Sequence, residues 1–151
     1  MYTRILVAID GSTTSQKTLD EAVRIAIALR ARLCIAHVID AAALVQHGMG
    51  LGTYIDIEKV KDEMRQSGNG LLDQAVATAV AMGCQAEHML IESPTDQRVA
   101  EMIADRARNW EADLVVVGAH GRRGFERMFV GSVAENLVRI AGTSLLLVRE
   151  G

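Results

Sequence analysis

Residues 114–133 read LVVVGAHGRRGFERMFVGSV, and the reading of this stretch decides the fold. Leu114-Val115-Val116-Val117 is too short for a buried helix and rich in β-branched residues. It predicts a strand covered on both faces. Gly118 ends the run. A loop follows with glycines at 118, 121, 124 and 131, and with Arg122, Arg123 and Arg127 set against the single acid Glu126. Ser132, with Glu135 three residues on, reads as a capping box, so a helix is expected to start there. Strand, glycine-rich basic loop and helix start, in that order, suit a phosphate. Glycines let the backbone approach an anion, the first N–H groups of the helix point at it, and the helix dipole favours negative charge.

Outward from this stretch, the chain alternates strand and helix patterns. Arg4 to Asp10 predicts a first strand, followed by N-cap candidates at Ser12, Thr13, Thr14 and Ser15. Leu19, Ala22, Val23, Ala26 and Leu29 then recur at helical spacing, so a helix is expected from about Ser15 to Ala31. Arg32 to Ile39 is the second strand. Asp40 to Tyr54 is a long irregular segment with glycines at 48, 50 and 52. Loops of that length in a compact domain are usually functional or mobile. Ile57, Val60, Met64, Leu72, Val76 and Ala79 mark a long helix that Gly83 stops. Gly68 and Gly70 interrupt its pattern, leaving a kink or a two-piece helix open.

Cys84 to Ile91 reads as the third strand. Ser93-Pro94-x-Asp96 suits a helix start with Pro at the first helical position. Val99, Met102, Ile103, Ala107 and Trp110 carry that helix, with Trp110 as a packing residue against the sheet. Asp113 to Val117 is the fourth strand, Ser132 to Ala141 the last helix with Gly142 at its C′ position, and Ser144 to Val148 the fifth strand. The βαβαβαβαβ pattern implies a doubly wound parallel sheet with helices on both faces, in one domain. Ligands in such sheets bind beyond the strand C-termini, where the strand order reverses. The pattern alone leaves the order open.

Composition narrows the function classes. In 151 residues, half are hydrophobic and 23% are charged, which describes a globular chain with a sizeable core. A net charge of −3 argues against a nucleic-acid binder held by bulk electrostatics, so the arginines at 122, 123 and 127 are a local feature. No apolar stretch reaches the length of a membrane span, and a cytoplasmic location without membrane insertion is the default expectation. Cys34 and Cys84 each fall inside an expected strand and read as small buried hydrophobes. The histidines at 37, 47, 88 and 120 show no metal-ligand spacing, and no metal site is assigned.

The loop's spacing excludes the commoner phosphate motifs. No Lys follows a glycine as in the P-loop, and no GxGxxG is present. The chain has Gly118-x-x-Gly121, nine residues, then Gly131-Ser132. This resembles the ATP-binding branch of the universal stress protein family. The resemblance extends over essentially the whole chain: Ile5-Leu6-Val7-Ala8-Ile9-Asp10-Gly11-Ser12 is similar to the family's opening, and His37-Val38 to the end of its second strand.

That resemblance implies a five-stranded sheet of order 3-2-1-4-5, with Asp10 and Gly118 at one crevice. It also implies nucleotide contacts. Ala8, Asp10 and Val38 would lie at the nucleoside end, and Gly118, His120, Gly121, Gly131, Ser132 and Val133 would hold ribose and phosphates. His120 is read as contributing its backbone. Ser132 would offer hydroxyl and N–H to phosphate, in competition with its capping role. Arg122 and Arg123 are either phosphate-steering groups or solvated, and Arg127 is similar. Where many relatives carry prolines before the last strand, this chain has Gly142-Thr143-Ser144.

Two functional classes follow. One is a regulatory stress protein that binds ATP, with or without Mg²⁺, so that the nucleotide orders the glycine-rich loop. The other is a slow ATPase or nucleotidyl-transfer enzyme. Phosphoryl transfer needs metal and positive charge at the γ-phosphate, and the sequence offers neither a P-loop lysine nor paired carboxylates beside the loop. Binding is therefore preferred, and no catalytic residue is assigned. In the implied order, Ser144, Leu145, Leu146, Leu147 and Val148 form an open edge without charge, proline or bulge, which invites self-pairing into a homodimer. Such dimers occur in the family it resembles.

Overall fold

The computed structural model describes residues 1–40, 56–92, 97–120 and 130–150. Its elements are β1 (Arg4–Ile9), α1 (Thr13–Leu29), β2 (Arg32–Ile39), α2 (Ile57–Ala81), β3 (Ala86–Glu92), α3 (Val99–Asn109), β4 (Leu114–Gly118), α4 (Ser132–Ile140) and β5 (Ser144–Val148). The five strands form one sheet of order β3-β2-β1-β4-β5, and every paired neighbour is parallel. This is the expected order, with the reversal between β1 and β4.

Alternation along the strands divides the core into two apolar layers. Val7, Ile9, Ile35 and Val116 point toward α1 and α2, where Leu19, Val23, Leu72 and Ala79 meet them. Leu6, Ala36, Val115 and Val117 point toward α3 and α4, where Ile103, Ala107 and Leu137 meet them. Strands buried on both faces read as continuous apolar runs for this reason, as Leu114 to Val117 does.

Several boundaries differ from expectation. Asp10 lies just beyond β1, and α1 starts two residues earlier than its apolar stripe suggested, because Ser12 is the N-cap and its hydroxyl accepts from Ser15 N–H at 3.1 Å. Cys84 precedes β3 instead of lying within it, although it is buried as expected. Burial pushes its thiol up, as it does the Cys34 thiol, which reaches about 12.

α2 runs unbroken through both of its glycines. A Cβ at Gly68 would come within 2.9 Å of Leu90 Cδ1 and 3.0 Å of His37 Cδ2, so the missing side chain lets α2 lie close on β2 and β3. Gly83, at φ 91°, turns the chain after α2. α3 begins at Val99 with Arg98 as a cap that has no side-chain bond, later than the Ser-Pro signal suggested. Ser93, Pro94 and Asp96 lie outside the described residues, as do 41–55.

Trp110 packs at the C-cap of α3 against the second apolar layer. Its ring also stacks under Arg4, whose guanidinium carbon is 4.4 Å from the ring centroid, with Arg32 at 5.7 Å. Arg4 Nε donates to the Trp110 carbonyl at 2.8 Å. Asp113 closes the same end of the sheet by accepting from the N–H groups of Thr3 at 2.8 Å and Arg4 at 2.9 Å.

Candidate functional site

The residues expected to bind a ligand gather along the C-terminal edge of the sheet. Ala8 and Val38 lie at the ends of β1 and β2, on the face toward α3 and α4, in the apolar layer that also includes Val133. Asp10 follows β1 directly. Its side chain accepts from Ser12 N–H at 2.9 Å, and its own N–H donates to Ser15 Oγ at 3.0 Å. This Asx turn, with Gly11 at φ 83°, leads β1 into α1. The N-termini of α1 and α4 therefore both open onto this edge, one after β1 and the other after β4.

Gly118 is the last residue of β4. A Cβ there would stand 2.9 Å from Thr14 Cγ2, 3.2 Å from Thr18 Oγ1 and 3.3 Å from the His120 carbonyl oxygen. The glycine thus seats β4 under the first turn of α1, in addition to any close approach by a ligand. Thr14, Ser15 and Thr18 are buried polar residues, and Thr18 Oγ1 donates to the Thr14 carbonyl at 2.6 Å. A search of this helix for apolar periodicity passes over them. Their signal is a cluster of small hydroxyl residues on the apolar face, opposite a strand-ending glycine.

Beyond Gly118, the chain is pinned at Ala119, which is fully buried. Its N–H donates to the Val148 carbonyl at 2.8 Å, and its carbonyl accepts from Gly131 N–H at 2.6 Å. The two ends of the glycine-rich loop are therefore clamped together, next to the end of β5. Gly121, Arg122, Arg123 and Arg127 lie between those ends and outside the described residues.

The helix start is built differently from the expected capping box. Gly131, not Ser132, is the N-cap, at φ −62° and ψ 158°. Ser132 is the first helical residue and is exposed. Its hydroxyl has no capping role to compete with a ligand. Glu135, displaced to the fourth helical position, pairs instead with Arg139 at 3.2 Å. At the other end, Ala141 caps α4 in an extended conformation, and Gly142 is not among the glycines with positive φ.

Two further polar features lie on the same edge. His37 Nδ1 is 2.8 Å from the Ile9 carbonyl oxygen and ties the ends of β2 and β1 together. Glu92, the last residue of β3, accepts from Arg65 Nε at 2.9 Å and from a second guanidinium nitrogen at 2.6 Å, so α2 is fastened to β3 by a two-point pair. The Arg65 hydrogen bonds hold the Glu92 carboxyl below the usual carboxylate range.

A doubly wound parallel sheet whose order reverses between β1 and β4, with Ala119 and Gly131 bonded beside that point, defines a class of three-layer α/β proteins. Comparison with known proteins places the chain more closely. The family model described as the universal stress protein family matches residues 1–149, and the chain belongs to that family. It is 32% identical to universal stress protein YxiE of Bacillus subtilis, over 99% of this chain and 100% of that one. A family structure from Burkholderia pseudomallei superposes with a TM-score of 0.76 at 32% identity, covering 97% of this chain and 96% of the other. A universal stress protein solved in complex with cAMP superposes with a TM-score of 0.69 at 27% identity, with 97% of each chain covered. Among the described residues, no helix is long and apolar enough to cross a membrane.

Proposed function

We propose that this chain is an ATP-binding regulatory stress protein of the nucleotide-binding branch of its family. The observation that carries this reading is the clamp between Ala119 and Gly131. It holds the ends of the G-2x-G-9x-GS segment together at the N-terminus of α4, where N–H groups and the helix dipole favour phosphate. The related protein solved with cAMP supports an adenine nucleotide as the ligand class. Ala8, Asp10 and Val38 would face the nucleoside, and Gly118, His120, Gly121, Gly131, Ser132 and Val133 the ribose and phosphates. Arg122 and Arg123 would steer the phosphates. Bound ATP, with or without Mg²⁺, would order the loop for a downstream partner, and the chain would pair with a second copy through β5.

Two measurements test this reading. Mass spectrometry of the purified protein should find co-purified adenine nucleotide, and calorimetry should show ATP binding that Gly131→Val abolishes. Valine can adopt the extended backbone of Gly131, and circular dichroism of the variant checks that it keeps its fold. Equal affinity in the two proteins would overturn the assignment. ATP turnover should stay well below the ordinary enzyme range of about 1 s⁻¹ and above. Turnover in that range, retained through purification, would favour the ATPase reading.

A further inference from the structure

Asp10, Ser12 and Ser15 form a closed ring of three hydrogen bonds at the end of β1. The Asp10 N–H donates to Ser15 Oγ at 3.0 Å, the Ser15 N–H to Ser12 Oγ at 3.1 Å, and the Ser12 N–H to Asp10 Oδ1 at 2.9 Å. Gly11, at φ 83°, lets the chain turn inside the ring. Of the three bonds, the one from Ser15 N–H to Ser12 is the ordinary N-cap of α1. The other two both end on Asp10, one on its backbone and one on its carboxylate.

Ser15 is the member whose side chain the helix does not need. It stands at the third position of α1, on the buried face, at 6% exposure. Alanine is smaller and the better helix former. What the hydroxyl does there is accept from the N–H of Asp10, the first residue beyond β1. With alanine, that N–H would face a methyl group, and the backbone carrying the carboxylate would lose this anchor.

We infer that Ser15 is a positioning residue for the nucleoside end of the site: its hydroxyl fixes the backbone of Asp10 and thereby the direction of the carboxylate offered to the ligand. This rests on the nucleotide-binding reading above, in which Asp10 faces the nucleoside, and adds to it a residue that touches no ligand. A carboxylate held in place before binding loses less freedom when the ligand arrives, so the effect appears as affinity for the nucleoside part.

The test titrates wild type, Ser15→Ala, Asp10→Ala and the double variant with ATP, adenosine and tripolyphosphate by calorimetry. Ser15→Ala should bind ATP and adenosine roughly 3- to 10-fold more weakly, the effect of one less ordered side chain. Tripolyphosphate, which has no nucleoside, should bind as it does to wild type. In the Asp10→Ala background, Ser15→Ala should cause no further loss, because the residue it positions is gone.

Unchanged adenosine affinity in Ser15→Ala would overturn the inference while leaving nucleotide binding intact. So would an equal loss for tripolyphosphate, or a further loss in the Asp10→Ala background, since either would mean that Ser15 supports the fold and not the carboxylate. Wild-type adenosine affinity in Asp10→Ala would remove Asp10 from the nucleoside end, and absence of ATP binding to the wild-type protein would overturn the underlying reading; the inference falls with either. Circular dichroism checks the fold of each variant. If Ser15→Ala does not fold, Ser15→Cys, close in shape but a weak acceptor, takes its place with the same expected losses.

Discussion

Gly118 lies against the methyl group of Thr14: a Cβ built on the glycine would stand 2.9 Å from Thr14 Cγ2. That contact joins the end of β4 to the first turn of α1, the two elements that flank the switch point. Gly118→Ala should therefore destabilise the fold by about 1–3 kcal/mol through overpacking. Thr14→Ser removes the opposing methyl and keeps the hydroxyl. In the Gly118→Ala background it should restore a large part of the loss. Denaturant unfolding of both single variants and the double variant gives the coupling. Additive effects would show that the contact does not constrain the position.

The two glycines inside α2 should respond in opposite directions to alanine. Gly70 has no atom within 4 Å of a built Cβ, and Gly70→Ala should stabilise by about 0.5–1 kcal/mol through helix propensity alone. At Gly68 the Cβ meets the His37 ring, which the Ile9 carbonyl holds in place. Gly68→Ala should forfeit the propensity gain and destabilise. Thermal melts of the two variants check this, and a gain at both positions would contradict the packing argument.

Asp113 sets a pH dependence of stability. Burial pushes its carboxyl up, but the N–H groups of Thr3 and Arg4 and the Thr3 hydroxyl outweigh that, and the net shift is downward. The unfolded chain therefore takes up the proton first as pH falls. The stabilising contribution is full above the ordinary Asp value of about 4 and is lost as pH drops through the lower folded value. The melting-temperature difference between wild type and Asp113→Asn should be largest near neutral pH and shrink below about pH 4. A difference independent of pH would mean that the carboxylate charge is not what the Thr3 and Arg4 groups recognise. Glu92, also depressed, leaves part of the acid response in the variant.

How much of this was legible in the sequence depends on which interaction sets each feature. Long apolar runs fixed the type and order of the strands along the chain, and the β2 and β5 limits matched residue for residue. Strand order came from family resemblance, because apolar pattern carries no information on which strands are neighbours. The capping box at Ser132 failed because Gly131 is the N-cap: its carbonyl accepts from Glu135 N–H at 2.9 Å, while its N–H is held by the Ala119 carbonyl, a contact that only the folded sheet provides. Gly68 left a kink or a two-piece helix open, since propensity alone ignores the space that His37 and Leu90 occupy. The spacing of Gly118, Gly131 and Ser132 marked the candidate site, but not the bond between Ala119 and Gly131 that joins its ends, because that contact needs the folded sheet.

The outer edge of β5, which no strand among the described residues pairs, carries the last prediction. The Val148 carbonyl accepts from Ala119 N–H, so it faces the β4 side. A residue's N–H and C=O lie on the same side of a strand, and sides alternate along it. Ser144 and Leu146 therefore also face β4, while the N–H and C=O of Leu145 and Leu147 face outward from the edge of the sheet. Leu145, Leu146 and Leu147 are only half-buried. An outward row of donors and acceptors beside part-exposed leucines is a template for antiparallel pairing about a two-fold axis. Leu145→Pro deletes an outward donor at a place where an edge strand tolerates proline. It should give a folded monomer by light scattering and circular dichroism. Leu146→Pro deletes a donor to β4 and should instead lower the stability of the fold, because it removes a ladder hydrogen bond inside the sheet. A wild-type protein that is monomeric at high micromolar concentration, or a Leu145→Pro variant that stays dimeric, would rule out pairing through β5.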